Sequence, residues 1–406
     1  MDVWLLFASR FIRLFAYGAL SVVLVFYLAG LGLSESRIGV LLTAILVGDT
    51  LVSLYLTTRA DRFGRRRMLV VGAVLMAAAG LVFALTGQWW LLLLAGTVGV
   101  ISPSGNEVGP FLSIEQAALS HVVTDRTRTT VFAWYTLAGS LATALGALIA
   151  GATTHVLQRT LPPLSTYRAV VVLYAALGGV LAILLSRLSS AAEPTALRGT
   201  ASRSTFASLS GLDQSRAVVL KLSALFALDA FGGGFVVQSL AAYWFYLRYG
   251  VTPETLGTIF FAANVLAGFS ALVASRLASR FGLIRTMVVT HLPSNVLLIL
   301  VPLMPTLPLA IATLLLRFSI SQMDVPARQS YVMAVVTPEE RSAAGGITGV
   351  ARTLGAAISP LFVGVMFARP ALMNLPFIVA GMLKIVYDLL LYRAFVAVRA
   401  PGEHVE

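Results

Sequence analysis

The sequence predicts an all-α polytopic membrane protein, twelve transmembrane helices in two pseudo-symmetric six-helix bundles. Three observations carry this. The chain has 406 residues, of which 58% are hydrophobic and only 11% charged, whereas soluble domains carry about a quarter charged residues. Apolar stretches recur along its whole length, and at about 20 residues per span there is room for roughly a dozen. The basic residues gather in short segments between those stretches, as positive-inside loops do.

The predicted spans are 3–31, 38–58, 67–87, 90–121, 129–155, 167–187, 217–247, 255–278, 286–304, 308–336, 342–368 and 375–397. The first is too long for a signal-peptide core and lacks its flanks. Span four carries Ser102-Pro103-Ser104-Gly105-Asn106-Glu107-Val108-Gly109-Pro110, which interrupts a helix in mid-membrane. Such backbone is tolerated only against protein or water. Span seven contains Gly232-Gly233-Gly234, either a weak point in the helix or a close-packing surface. In span ten, Pro326 is expected to bend the helix between Asp324 and Arg328. Tyr243, Trp244, Phe245, Tyr246 and Tyr249 near the outer end of span seven read as an interfacial belt, or as a cap on a cavity.

The polar, Ser/Thr/Ala-rich segment 188–216 divides the chain into residues 1–187, an N-terminal bundle, and 217–406, a C-terminal bundle with a short tail. The two halves repeat. Phe63-Gly64 recurs as Phe281-Gly282 and Arg67 as Arg285, at an offset of 218. Phe26-Tyr27-Leu28 recurs as Phe245-Tyr246-Leu247 at 219, and Gln116, Arg128 and Gly151 as Gln329, Arg341 and Gly364 at 213. Parallel half-repeats are a transporter plan, with the substrate site expected between the halves.

Arginine dominates one set of loops, notably Arg59, Arg62, Arg65, Arg66 and Arg67 after span two. That side, with both termini, is expected to be cytoplasmic, in the plasma (inner) membrane. The net charge of +12 then needs no nucleic acid, and no nucleic-acid motif occurs. With no Cys and four His, none at ligand spacing, neither a metal nor another cofactor is expected. No nucleophile–base pattern supports an enzyme.

Ionisable side chains inside a span are costly and point to function or to pairing. Six acids qualify: Asp49, Glu107, Glu115, Asp229, Asp324 and Asp388. Six bases match them: Arg10, Arg13, Arg317, Arg328, Arg352 and Lys384. Arg13 lies about 15 Å into span one at 1.5 Å per residue and reads as a ligand or the partner of a carboxylate. Arg10 can snorkel to the interface. Asn106 and Glu107 mark the broken centre of span four, where a desolvated carboxylate could exchange a proton near neutral pH. Glu115 reads as a structural or gating pair, Asp229 as a functional acid, and Asp324 with Arg328 as an i, i+4 pair that is equally a site. Lys384 with Asp388 reads as a structural pair on span twelve, and Asp49 as structural. Arg317 and Arg352 complete the list of secondary candidates.

Ala60-Asp61-Arg62-Phe63-Gly64-Arg65-Arg66-Arg67, with a degenerate copy at Ser279-Arg280-Phe281-Gly282-Leu283-Ile284-Arg285, resembles the loop 2–3 signature of the major facilitator superfamily. Thr57 and Arg59 depart from that signature, span four lacks the Arg of many proton-coupled members, and span five lacks the Gly-Pro antiporter pattern. The resemblance implies a monomeric secondary transporter in which spans one, four, seven and ten line a central cavity, where most of the charges above fall. It also implies a gating loop built on Asp61, Arg62, Gly64, Arg65, Arg280 and Gly282. Arg65 to Arg67 alternatively anchor to anionic headgroups. The expected activity is alternating-access movement of a small solute, coupled to protons, with export of an amphipathic organic compound preferred. Uptake of a polar or zwitterionic metabolite, and a non-transporting receptor or scaffold, are the alternatives.

Overall fold

A computed structural model describes residues 2–106, 109–123, 125–189, 192–193, 212, 214–337 and 340–396. Among these residues the chain is helical, without strands. Ten helices are long and apolar enough to cross a membrane, and two shorter apolar helices, Trp89–Val98 and Leu307–Phe318, belong to the broken spans four and ten.

In the first half, α1 (Asp2–Gly30), α2 (Glu35–Phe63) and α3 (Arg65–Leu85) are single helices. Span four splits into α4 (Trp89–Val98) and α5 (Phe111–Val122), with the Pro/Gly-rich segment between them. α6 (Asp125–Leu157) and α7 (Pro163–Ser186) complete the half. In the second, span seven splits into α8 (Arg216–Gly234) and α9 (Gln238–Tyr249), followed by α10 (Pro253–Phe281) and α11 (Leu283–Leu300). Span ten splits into α12 (Leu307–Phe318) and α13 (Asp324–Ala334), and α14 (Arg341–Phe367) and α15 (Leu375–Phe395) end the chain's helices. The break in span ten falls at residues 319–323, before Asp324. Pro326 is not the bend expected of it. It sits in the first turn of α13, where its missing N–H has no partner to lose.

The repeat read from the sequence is a repeat of structure. α1 packs on α6 and α7 as α8 packs on α14 and α15, and α3 packs on α7 as α11 packs on α15. Both main crossings are backbone-close. A Cβ on Gly18 would stand 2.1 Å from the Thr143 carbonyl oxygen, and one on Gly355 would stand 2.4 Å from that of Ala227. Lipid supplies no hydrophobic drive between helices, so small residues that let backbones touch take its place. The turn glycines match as well. Gly64 (φ +100°) ends α2 and Gly282 (φ +84°) ends α10, a conformation that L side chains disfavour.

By proximity, the described residues fall into two compact units. One holds Met1–Ser202 with Val237–Phe261, the other Arg203–Val236 with Ala262–Glu406. Thus α9 and the first turns of α10 pack with the first unit. There Trp244 and Phe245 are fully buried and Tyr243 donates to Glu35 Oε1 at 3.3 Å. Tyr243 and Tyr246 both lie against Phe26. The interfacial belt expected of this run is therefore corrected for Tyr243, Trp244 and Phe245, which are buried within the protein. This aromatic run is packing surface, and among Tyr243 to Tyr246 only Tyr246 is substantially exposed.

Candidate functional site

Among its described residues the first unit buries a closed ion pair. Arg13 on α1 meets Glu115 on α5 through two parallel bonds, each 2.7 Å. Neither side chain has any exposed surface. The Glu115 carboxylate also accepts from the Ser9 and Tyr135 hydroxyls. The Arg13 guanidinium lies 4.5 Å over the Phe111 ring. Arg10 is folded inward instead of reaching for the interface. Its guanidinium covers the Tyr135 ring at 4.3 Å and lies against Gly139, where a Cβ would meet its Nε at 2.5 Å. Asp49 is buried on α2, within electrostatic reach of Tyr174.

The break in span four frees backbone carbonyls that hydrocarbon would leave unsatisfied. Neighbouring helices of the same unit take them up. Ser239 N–H donates to Pro103 O at 3.1 Å and Thr143 Oγ1 to Gly105 O at 3.2 Å. Gln238 Nε2 donates to Ser21 Oγ at 2.8 Å beside them. Asn106 is exposed and its backbone is held by Ser102 and Ser104. Glu107 lies outside the described residues.

The second unit buries a larger, branched cluster. Asp229 on α8 accepts from Lys384 Nζ of α15 at 2.6 Å and from Arg328 of α13 at 3.2 Å. Gly232 and Gly233 make the lysine's approach possible. A Cβ at Gly232 would stand 3.1 Å from Lys384 Cγ, and one at Gly233 3.6 Å from Nζ. The glycine run is thus a packing surface, and the helix break follows it at residues 235–237. Arg328 also pairs with Asp324 at 3.1 Å, one turn away on α13. Lys384 and Asp388 do not serve each other. Asp388 instead accepts from His291 Nδ1 at 2.8 Å and Asn295 Nδ2 at 2.9 Å, both on α11. The other ring nitrogen of His291 lies 3.7 Å from Asp229. His291 therefore stands between two carboxylates.

Arg317 and Arg352 complete this region. Arg317 closes α12 and Asp324 opens α13. Each charge sits at the helix end whose dipole favours it. Neither Arg317 nor Arg352 makes an ion pair or hydrogen bond among the described residues, and the Nε of each is enclosed.

On the arginine-rich face, Gly64 gives way to the N-terminus of α3. Its first N–H groups are capped by Glu193, with Arg65 N at 2.7 Å from Oε2 and Arg66 N at 3.1 Å from Oε1. Arg65 is buried and donates to the Ala117 and Ala192 carbonyls, and Arg66 donates to Leu188 O. These bonds tie loop 2–3 to its own unit. Arg62 and Arg280 are exposed over Phe63 and Phe281. The Asp61 side chain is outside the described residues. In the second unit Glu340 caps the approach to α8, accepting from Gln214 N at 3.1 Å and Ser215 N at 3.0 Å.

Sequence reasoning missed His291, Asn295, Glu193, Glu340 and Gln238. His291 and Asn295 stand four apart, and their shared face on an otherwise apolar span was the available signal.

Known proteins share this architecture. The family model for the Major Facilitator Superfamily matches residues 6–360 and 223–405. An uncharacterized membrane protein of Saccharomyces cerevisiae is 32% identical over 98% of this chain and 95% of its own length. The quinolone resistance protein NorA of Staphylococcus aureus is 27% identical over 101 residues, 25% of this chain and 26% of that one. Among solved structures, a D-xylose–proton symporter superposes with a TM-score of 0.74 at 15% identity, covering 100% of this chain and 99% of that one. Broken spans, a duplicated six-span plan and a full-length family match lead to one conclusion: the chain belongs to the Major Facilitator Superfamily.

Proposed function

We propose that the protein is a proton-coupled secondary transporter that moves a small organic solute by alternating access. In this reading residues 1–187 and 217–406 are the moving bundles and 188–216 their linker. The protein acts as a monomer in the plasma membrane, with both termini cytoplasmic. The observation that carries the coupling is His291 standing between Asp388 and Asp229. An imidazole has two ring nitrogens and can pass a proton from one side to the other, and a second carboxylate on its far side gives a proton two places to rest. The groups that bear on this relay are Lys384, Arg328, Asp324, Arg352, Arg317, Asn295 and Tyr387. Of the two carboxylates, Asp388 is the better carrier. Asp229 is gripped by two permanent cations, whereas Asp388 faces only His291 and Asn295. Glu107 remains a second candidate carboxylate. Export is the favoured direction, supported by the partial likeness to a drug-resistance protein.

The test is flux in liposomes loaded with a pH-sensitive dye, using a panel of amphipathic solutes with and without a pH gradient. Wild-type protein should move protons with solute. His291→Gln should retain solute exchange but lose its dependence on the gradient. Solute movement indifferent to the gradient in wild-type protein would remove the coupling, and no movement of any solute would remove transport.

A further inference from the structure

We infer that the second unit holds a binding site for a small organic anion, with Arg317 and Arg352 as the residues that receive its charged group. This deepens the transporter reading and rests on it for the meaning of the site, though not for its test.

The charge balance is the first argument. Arg317, Arg328, Arg352 and Lys384 face Asp229, Asp324 and Asp388, so permanent cations exceed carboxylates by one before His291 is counted. The carboxylates are not shared evenly. Asp229 is held by Lys384 and Arg328, Asp324 by Arg328, and Asp388 by His291 and Asn295. Arg317 and Arg352 are left over, although both lie within electrostatic reach of Asp229 and Asp324. A guanidinium at membrane depth demands a counter-charge, and these two touch none directly among the described residues, the carboxylates within reach being held by other groups.

Their surroundings are the second argument. Both residues are half-buried, and the Nε of each is enclosed without a hydrogen-bond partner among the described residues. The Arg317 guanidinium lies 5.1 Å over the Phe318 ring. A planar fork of donors suits a carboxylate or phosphate in two-point contact.

Depth decides the source. Arg317 is the eleventh residue of α12 and Arg352 the twelfth of α14, which puts each about 15 Å from its helix start at 1.5 Å per residue. A lipid headgroup stays at the interface and does not reach that level. The ligand is therefore a free solute.

The experiment is binding to the purified full chain in detergent, by calorimetry and thermal shift. The probes are benzoate, phenyl phosphate, benzamide and benzylamine, with phosphatidylglycerol present or absent. The two anions should bind and raise the unfolding temperature, and benzamide and benzylamine should not. Arg352→Gln and Arg317→Gln should each weaken anion binding about ten- to a hundredfold, with the Lys variants in between. Benzoate against phenyl phosphate separates the two anion chemistries, and loss of the signal on adding phosphatidylglycerol would reassign the site to lipid. Stabilisation by benzylamine, or wild-type anion affinity in both Gln variants, would overturn the inference. Should those variants not fold, the wild-type panel still decides it, because absence of anion binding sinks the site. Anion binding without flux would instead sink the transporter reading alone.

Discussion

The two units bury charge in opposite ways. In the first, Arg13 and Glu115 form a closed system, with one base, one acid, two parallel bonds, and hydroxyls on the remaining lone pairs. In the second, Asp229 joins three helices through Lys384 and Arg328, His291 bridges to Asp388, and two guanidiniums make no ion pair among the described residues. A closed pair resists change because either partner alone is an isolated charge in a dry interior. A branched cluster can lose a member or gain a ligand and still find another partner. The first arrangement serves architecture and the second leaves capacity for chemistry.

The contrast can be broken in descending order of effect. Glu115→Gln strands Arg13 and should cost about 3–5 kcal/mol, read as a large drop in unfolding temperature in detergent. Replacing both partners, Arg13→Met with Glu115→Leu, should recover most of that loss. If the double variant is no more stable than Glu115→Gln, the pair is more than architecture. Lys384→Met leaves Asp229 with Arg328 and should cost less, about 1–3 kcal/mol, by the same measurement. A loss equal to that of Glu115→Gln would erase the distinction between the units. Gly64→Ala forces a Cβ into a φ of +100° and should cost about 1–2 kcal/mol. Arg317→Gln removes no hydrogen bond or ion pair among the described residues and should lower the unfolding temperature least of the set. A larger fall would mean that Arg317 holds the fold.

Much of the fold was written in the sequence because lipid imposes one rule along the whole chain. The twelve spans, the repeat at loop 2–3 and its copy, and the break at Pro103 to Pro110 all follow from hydropathy, spacing and the chemistry of Pro and Gly. The break at residues 319–323 does not, since Ser319-Ile320-Ser321-Gln322-Met323 has neither Pro nor Gly, and Pro326 close by drew the expectation. Side-chain partners were harder to read. Spacing of four shows that Lys384 and Asp388 could meet. It does not show that Asp229 and His291, from other helices, lie nearer at hand. Asp324 and Arg328 do meet, since both lie within α13 just past the break. Partner choice belongs to tertiary packing, which periodicity does not encode.

The interrupted fourth span has a practical consequence. The carbonyl of Pro103 is satisfied by the amide of Ser239, and Ser21 is met by Gln238, residues that enter the sequence well after the midpoint. A severed N-terminal fragment ending near residue 202 would insert with that backbone group bare in hydrocarbon. It should be a poor folder by itself, and co-expression of the remaining chain should rescue it.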